Sequence, residues 1–230
     1  MSLIHRISDV RVGSLANFIP FLVDGVRVGL MKPAFADHLR AFPEVFTVKK
    51  DMVAISPGLI DYAARSEGVA AVLEDLHAQG LIPGWRQELY PVSSGFHADS
   101  LFDIERGAAT LFGIRTYAVY LNGYVREAGR IKLWTARRSH KKPTNPGKLD
   151  NLVGGGQPAG FSIRENLIKE CHEEAGIPGN LARQALAHSS LSIFMETSRG
   201  LLNETGFIYD LILPPEFVPQ NMDGEVEAFY

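Results

Sequence analysis

The sequence predicts an α+β protein in two parts, a smaller N-terminal α+β domain over residues 1–112 and a C-terminal domain over residues 113–230. Three observations favour this division. The first part alternates short apolar runs with helix-like stretches. After residue 113 the apolar runs become rich in β-branched and aromatic residues, and one acidic, helix-like stretch follows three consecutive glycines. We therefore expect a mixed sheet with a helix packed on it in the C-terminal part.

Composition and charge restrict the class of protein. The 230 residues are 46% hydrophobic and 21% charged, with a net charge of -3, which is typical of a soluble globular protein and argues against a nucleic-acid polymer as partner. Cys171 is the single cysteine, so no intrachain disulfide forms. The N-terminus lacks the apolar core of a secretory signal, and no apolar run approaches the roughly 20 residues of a membrane span. These features predict a cytoplasmic protein without a membrane partner.

The elements of the first domain follow from local signals. Two apolar runs flank Asp24-Gly25, a strong hairpin signal, and a short helix follows with Pro33 in its first turn. A second pair of strands is expected around Lys50-Asp51. Next comes a long helix, or two shorter ones broken or kinked near Gly68, with Gly80 as the C-terminal cap.

The later elements are mostly strands. Residues 100–113 are predicted as a helix or a connector, and residues 143–156 as a loop, a short strand and a loop. The predicted strands lie within residues 85–94, 114–125, 131–139, 190–213 and 224–230.

An acidic helix is predicted after the glycines. Ser162 and Glu165 have the spacing of a capping box, so the helix begins near residue 163, and Gly176 ends it. The apolar stripe of this helix consists of Leu167, Cys171 and Ala175.

Three glutamates share one edge of this helix. Glu170 and Glu174 are four residues apart, and Glu173 borders the same face. Like charges at this spacing repel, and the negative end of the helix dipole adds to the cost. A divalent cation such as Mg²⁺ reverses the sign of that cost, because it takes carboxylate oxygens and keeps waters for substrate phosphates. The alternative is an ordinary solvated acidic face.

Gly154, Gly155 and Gly156 are predicted to form a loop before the helix. Glycine permits backbone conformations closed to other residues and lets a ligand approach closely, so this backbone is expected to hold a phosphate. The alternative is a tight turn between strand and helix.

The stretch from Gly155 to Ile177 resembles the Nudix box, which begins with a glycine, has a glutamate after five further residues, and ends in R-E-apolar-x-E-E-x-G-apolar. Here Lys169-Glu170 matches the basic-acid pair, Cys171 the apolar position, and Glu173–Ile177 the end of the pattern. Two positions differ, since Phe161 stands where the pattern has its first glutamate and Lys169 replaces arginine.

The resemblance implies a Nudix fold, with a mixed β-sheet between helices, and hydrolysis of a diphosphate linkage that depends on Mg²⁺ or Mn²⁺. By this resemblance Glu170 and Glu174 are direct metal ligands. Glu173 is a further ligand, or acts in catalysis by orienting the attacking water. Lys169 keeps the charge of the arginine without its bidentate fork, and Glu165 is expected to pair with it as structural support.

The residues around the box resemble one subgroup more closely. The segments "LWTARRS" and "NPGKLDNLVGGG", preceded by an α+β domain, are similar to the Nudix domain found fused to thiamine pyrophosphokinase. This implies a small-molecule diphosphate as substrate, namely thiamine diphosphate or a related analogue. Two alternatives stay open: a nucleotide-sugar or dinucleotide pyrophosphatase, and a non-catalytic module that binds phosphate ligands, which the changes at Phe161 and Lys169 favour.

A basic segment precedes the glycines and predicts contacts to phosphate oxygens. Arg137, Arg138 and Lys148 are the candidates for substrate binding. The two arginines end a strand, so their side chains should point to opposite faces and only one should reach the site. A solvated basic loop is the alternative. The whole segment contains Arg137, Arg138, His140, Lys141, Lys142 and Lys148.

An acid from the last predicted strand completes the candidate site. Nudix enzymes often use an acid from a later loop or strand, so Glu225 is predicted as a catalytic residue beside Glu173, with Glu196 as a weaker alternative. The alternative is that Glu225 is present only because charged side chains keep an exposed edge strand soluble.

The sequence ends at Tyr230, directly after a strand-like segment. Nudix domains usually continue from the last strand into a helix, so we expect C-terminal substrate contacts to lie outside this sequence. No oligomeric state follows from the sequence.

Overall fold

The computed structural model describes residues 15–142 and 144–230. The chain forms two compact units. The first reaches to Thr116 and includes Ser192–Glu204, and the second comprises Tyr117–Leu191 and Thr205–Tyr230. The predicted α+β class is confirmed, because the helices are interspersed among sheets whose strands pair largely antiparallel. The domain boundary at residue 112 stays a prediction.

The hairpin predicted around Asp24-Gly25 is confirmed. Strand β1 (Ile19–Val23) pairs antiparallel with strand β2 (Val26–Met31). Asp24 has φ +48° and Gly25 has φ +79°, so both central residues are left-handed, as a type I′ turn requires. Aspartate and glycine tolerate this backbone well, which explains why the local sequence predicted the turn.

Two more strands complete the first sheet. Strands β3 (Phe46–Val48) and β4 (Val53–Ile55) pair antiparallel around Lys50-Asp51, as predicted, and β4 pairs in parallel with β1. The strand order is β2-β1-β4-β3. Helix α1 (Pro33–Leu39) begins at its proline, which has no N–H to lose in a first helical turn.

Helix α2 (Tyr62–Ala78) runs as one helix through Gly68, so of the two predicted alternatives the single long helix is confirmed. The Asp61 side chain accepts a hydrogen bond from the Ala64 N–H at 2.8 Å and caps the N-terminus. A β-carbon at Gly68 would lie 3.1 Å from Leu59 Cδ1. Close packing, which is not visible in the local sequence, therefore accounts for this glycine.

The last elements of the first unit are short. Strand β5 (Leu89–Val92) pairs antiparallel with strand β6 (Phe102–Glu105), and a 3₁₀ turn at Arg106–Ala108 leads into helix α3 (Ala109–Phe112). The stretch predicted as helix or connector therefore begins with a strand.

Four aromatic rings form the centre of the first core. Their centroids lie 5.1 to 6.3 Å apart, and all four side chains are fully or almost fully buried. They are Phe21, Phe46, Phe102 and Phe112.

The remaining strands form two sheets. The strands are β7 (Arg115–Glu127), β8 (Arg130–Leu133), β9 (Ala136–Arg138), β10 (Leu149–Asp150), β11 (Val153–Gly156), β12 (Leu186–Glu196), β13 (Leu201–Ile212) and β14 (Val226–Phe229). A five-stranded sheet has the order β11-β7-β13-β12, with β8 paired to β7, and a small sheet has the order β10-β9-β14.

Helix α4 (Ile163–Ala175) packs against this part of the chain, and a short helix α5 (Gly179–Ala182) follows it. The predicted apolar stripe is confirmed, since Leu167, Cys171 and Ala175 are fully buried. They pack with alternate residues of β7, such as Val119 and Leu121, and the buried acids of the helix flank this apolar stripe.

None of the helices in the described ranges is long and apolar enough to span a membrane.

Candidate functional site

Strand β11 carries the three glycines, so the predicted glycine loop is wrong. Gly154, Gly155 and Gly156 pair antiparallel with β7, opposite Tyr120, Val119 and Ala118. Sequence reasoning read consecutive glycines as a loop because glycine is depleted in strands. Close approach of Tyr120 explains Gly154, and close approach of Glu170 explains Gly155.

Helix α4 begins as predicted. The Ser162 side chain accepts a hydrogen bond from the Glu165 N–H at 3.2 Å, and the Glu165 carboxylate accepts one from the Ser162 N–H at 2.9 Å. This is a complete capping box. Gly176 ends the helix with φ +63°, which only glycine adopts readily. The cap at Ser162 and the termination at Gly176 define the helix, and so determine which of its residues face β11.

Glu174 is the buried acid at the centre of the site. Its side chain is 7% exposed, and one carboxylate oxygen accepts a hydrogen bond from the Gly154 N–H at 2.7 Å. The pKa of Glu174 is raised to about 8, because burial and the charges of Glu170, Glu225 and Asp223 together outweigh the hydrogen bond from Gly154, which lowers it. A carboxylate in this position is costly unless a positive charge lies beside it.

Glu170 lies against the backbone of Gly155. A β-carbon at Gly155 would lie 2.2 Å from Glu170 Cδ, so a larger residue would displace this carboxyl group. Glu170 is 9% exposed. Gly155 thus gives the Glu170 side chain the space that it occupies next to β11.

Lys169 pairs with Glu173 and Glu170 rather than with Glu165. Its ammonium lies 2.7 Å from Glu173 Oε2 and 3.2 Å from Glu170 Oε1. Burial lowers the pKa of Lys169, but the hydrogen bond to Glu173 and the interactions with Glu170 outweigh it, so the pKa is raised overall. The expected Lys169–Glu165 pair is wrong, because Glu165 is used by the cap at Ser162.

A loop before β14 supplies two further acids, Asp223 and Glu225. The Met222 N–H donates to the Glu173 carbonyl at 2.9 Å, and the Gln220 N–H donates to the Ala175 carbonyl at 3.0 Å. These two carbonyls belong to the last turn of α4, where carbonyl groups have no following helical amide to accept from. The loop is thereby held against the end of the acidic helix.

Asp223, Glu225 and Glu174 form one cluster. Each offers a carboxylate oxygen, and these oxygens lie within 4.8 Å of one another. Burial raises the pKa of Asp223, the Glu225 N–H hydrogen bond lowers it, and the charge of Glu225 raises it. Sequence reasoning found Glu225 and missed Asp223, although the pair Asp-Gly before Glu225 marked a turn that could bring both acids together.

The residues of the predicted basic segment make different contacts. Arg138 donates to Asp150 at 2.6 Å and to the Thr144 carbonyl at 3.0 and 3.1 Å, so it holds the loop between β9 and β10. The Arg137 guanidinium lies over the Tyr230 ring at 4.9 Å. Lys148 is exposed.

Lys142 is the basic residue that contacts the acidic cluster, through an ion pair with Glu225. Sequence reasoning placed Lys142 in the basic patch without giving it a role. It lines a small cavity together with Glu174, Glu225, Arg138 and other residues of the second unit.

The donor set of this site fits a hard divalent cation. Glu174, Asp223 and Glu225 offer only carboxylate oxygens, which Mg²⁺ and Mn²⁺ prefer. The charges of the neighbouring acids raise the pKa of Glu174, and a divalent cation would remove that repulsion. Glu170 borders the site, and Lys169 pairs with both Glu170 and Glu173.

The weaker alternative Glu196 belongs to the first unit, where it lies 2.8 Å from the Lys32 ammonium.

Comparison with known proteins gives a family for the N-terminal half. The family described as "Domain of unknown function (DUF4743)" matches residues 2–116. Over 94% of its length the chain is 45% identical to "Nudix hydrolase 24, chloroplastic" and 42% identical to "Nudix hydrolase 20, chloroplastic", both of Arabidopsis thaliana. The chain spans 60% of the length of each.

One solved structure with which it aligns is the NUDIX domain of Shewanella oneidensis NrtR complexed with ADP ribose. The two are 13% identical, with a TM-score of 0.42, and the alignment covers 52% of this chain and 73% of that one.

The predicted cytoplasmic location is wrong on this comparison, because both plant relatives are described as chloroplastic. The cysteine content on which that prediction partly rested does not separate the cytosol from other reducing compartments.

Proposed function

The chain belongs to the DUF4743 family and is related to the Nudix hydrolases over most of its length, and on this premise we propose that it is a divalent-cation-dependent hydrolase of a diphosphate linkage. One observation carries the proposal. The buried carboxyl group of Glu174 lies beside Glu170, Asp223 and Glu225, an arrangement that is unfavourable without a cation.

Glu174, Glu225, Asp223 and Glu170 would hold Mg²⁺ or Mn²⁺ in this proposal. A cation held there would supply positive charge for the phosphoryl oxygens and would favour deprotonation of a water molecule. Gly154 orients the Glu174 carboxylate through its N–H, at 2.7 Å, so this ligand is positioned before a cation arrives.

The other residues of the site would handle the proton and the phosphates. Glu225 is the proposed proton acceptor, since it lies in the cluster and lines the cavity, and Glu173 is the second choice. Arg137 and Lys148 are the proposed contacts for phosphate oxygens. Arg138 supports the loop that carries Lys148, through Asp150 and Thr144.

Thiamine diphosphate or a related analogue is the proposed substrate. The motivating observation is the similarity of the basic and glycine-rich segments to the Nudix domain fused to thiamine pyrophosphokinase. A panel of thiamine diphosphate, a nucleotide sugar and a dinucleoside polyphosphate, each assayed with Mg²⁺ and Mn²⁺, tests this choice. Turnover of the second or third compound alone would replace the substrate and leave the hydrolase proposal standing.

Substitution of the acids tests the activity itself. Glu174→Gln and Glu170→Gln keep the size of each side chain and remove its charge, and each should lower kcat/KM by about a hundredfold or more, as is common when a catalytic electrostatic contact is lost. Glu127→Gln is the matched control, because Glu127 is an exposed glutamate that pairs with Lys132. Activity of the Glu174 and Glu170 variants equal to that of the parent would remove the proposal.

A non-catalytic phosphate-binding module is the second candidate function. Phe161 favours it, because this side chain is 47% exposed at the position where the Nudix pattern has its first glutamate. Tight binding of a diphosphate in Mg²⁺ or Mn²⁺, without release of phosphate over hours, would favour this function over hydrolysis.

A further inference from the structure

Lys142 is unusually buried for a lysine in a loop. Its side chain is 20% exposed, and its ammonium pairs with the Glu225 carboxylate. The adjacent Lys141 is exposed. Lysine is mostly exposed in proteins unless its charge is paired, so the environment of Lys142 calls for a specific partner.

The cluster around Glu225 supplies that partner. Glu174 and Asp223 each offer an oxygen within 4.8 Å of a Glu225 oxygen, so the ammonium pairs with one member of a cluster of three acids. The charge of Lys142 also lowers the pKa of Asp223, against the larger effect of burial and the charge of Glu225, which raise it.

Arg138 does not serve the same purpose. It lines the same cavity, but its guanidinium is bound to Asp150 and to the Thr144 carbonyl. Lys142 differs because a single compact ammonium on a flexible stem moves several ångströms without a change in the backbone.

We propose that Lys142 is a tethered counter-ion of Glu225, which neutralises this carboxylate in the metal-free protein and leaves it when a divalent cation binds. The inference rests on the proposed function, since it assumes that the cation binds at Glu174, Asp223 and Glu225. Lys142 and the cation compete for one carboxylate, so Lys142 sets the cation concentration at which the site fills.

Lys142→Met tests this competition, because methionine keeps an unbranched apolar side chain and removes the charge. Mn²⁺ binding, measured by the loss of the free-ion electron paramagnetic resonance signal, should be about fivefold tighter than in the parent. Lys141→Met is the matched control and should leave the affinity unchanged. The metal-free Lys142→Met protein should also melt at a lower temperature than the parent and gain more from Mn²⁺.

A double-mutant cycle with Glu225→Gln isolates the pair. In the Glu225→Gln background the Lys142→Met change should no longer tighten Mn²⁺ binding, because the carboxylate for which the two cations compete is absent. An equal gain in both backgrounds would overturn the inference, as would unchanged or weaker binding in the Lys142→Met single variant.

Glu174→Gln separates this inference from the proposed function. If Glu174→Gln binds Mn²⁺ as tightly as the parent, the metal centre itself is wrong, whatever Lys142 does. If Glu174→Gln loses Mn²⁺ while Lys142→Met binds it like the parent, the metal centre stands and only the role of Lys142 fails.

Discussion

Gly155 determines where the carboxyl group of Glu170 lies. Gly155→Ala would bring a β-carbon to 2.2 Å from Glu170 Cδ, so the buried carboxyl group must move. We expect weaker Mn²⁺ binding, and a stability cost of about 1–3 kcal/mol, which is typical of overpacking a buried site. Mn²⁺ titration and chemical denaturation measure the two effects.

Gly58→Ala is the control for that substitution. No atom lies within 4 Å of a β-carbon built at Gly58, so alanine there should change neither property. If Gly155→Ala behaves like Gly58→Ala, then Glu170 moves aside at no cost and its present position has no role in cation binding.

Residues that depend on near neighbours in sequence were the ones predicted well. Ser162 and Glu165 are three positions apart and formed the expected capping box. Asp223 lies far along the chain from Glu174, and its place in the cluster depends on the docking of its loop on α4. The pairing of Lys142 with Glu225 depends on the same folded contacts, so no local pattern marked it.

Helix α4 presents its acids correctly only if its first turn forms. Ser162→Ala removes the acceptor for the Glu165 N–H and should lower the free energy of unfolding by about 1 kcal/mol, the usual value of an N-cap. Fluorescence in a Trp85→Phe background follows this change through Trp134, which packs on the second core. A denaturation midpoint equal to that of the parent would contradict the role of the cap.

Ser190→Ala is the control for Ser162→Ala. Ser190 is an exposed residue of strand β12, so its substitution should shift the midpoint little.

The elements were predicted best where turn chemistry is local. Asp24-Gly25 specified its hairpin, because both residues accept the left-handed backbone of the turn. Gly154 and Gly155 gave a wrong prediction, and Gly68 left two alternatives open, for the same reason. Their lack of a side chain matters to Leu59, Tyr120 and Glu170, which are brought near only by folding.

The stability of the whole protein should depend on pH through Glu174 when no cation is bound. Burial and neighbouring charges raise its folded pKa to about 8, above the ordinary 4.5, so the folded state keeps a proton that the unfolded state loses. The contribution of Glu174 to stability is therefore complete below about pH 4.5 and is lost as pH rises toward about 8. Denaturation in the presence of a chelator, at several values across this range, measures the loss.

Glu174→Gln should flatten this dependence, because the amide does not titrate. Saturating Mg²⁺ or Mn²⁺ should also oppose the loss in the parent, since the cation binds the deprotonated form. Parallel stability curves for the parent and Glu174→Gln in chelator would contradict the raised pKa.

The hydrogen bond from Gly154 to Glu174 has a consequence for self-association. In the described chain β11 is the outermost strand of its sheet, and an outermost strand offers its amides to strands of other molecules. Glu174 covers one of these amides with a buried acid. The carboxyl group that we place in the metal centre therefore also shields the sheet from pairing with other molecules. We expect Glu174→Ala to expose a site for aggregation.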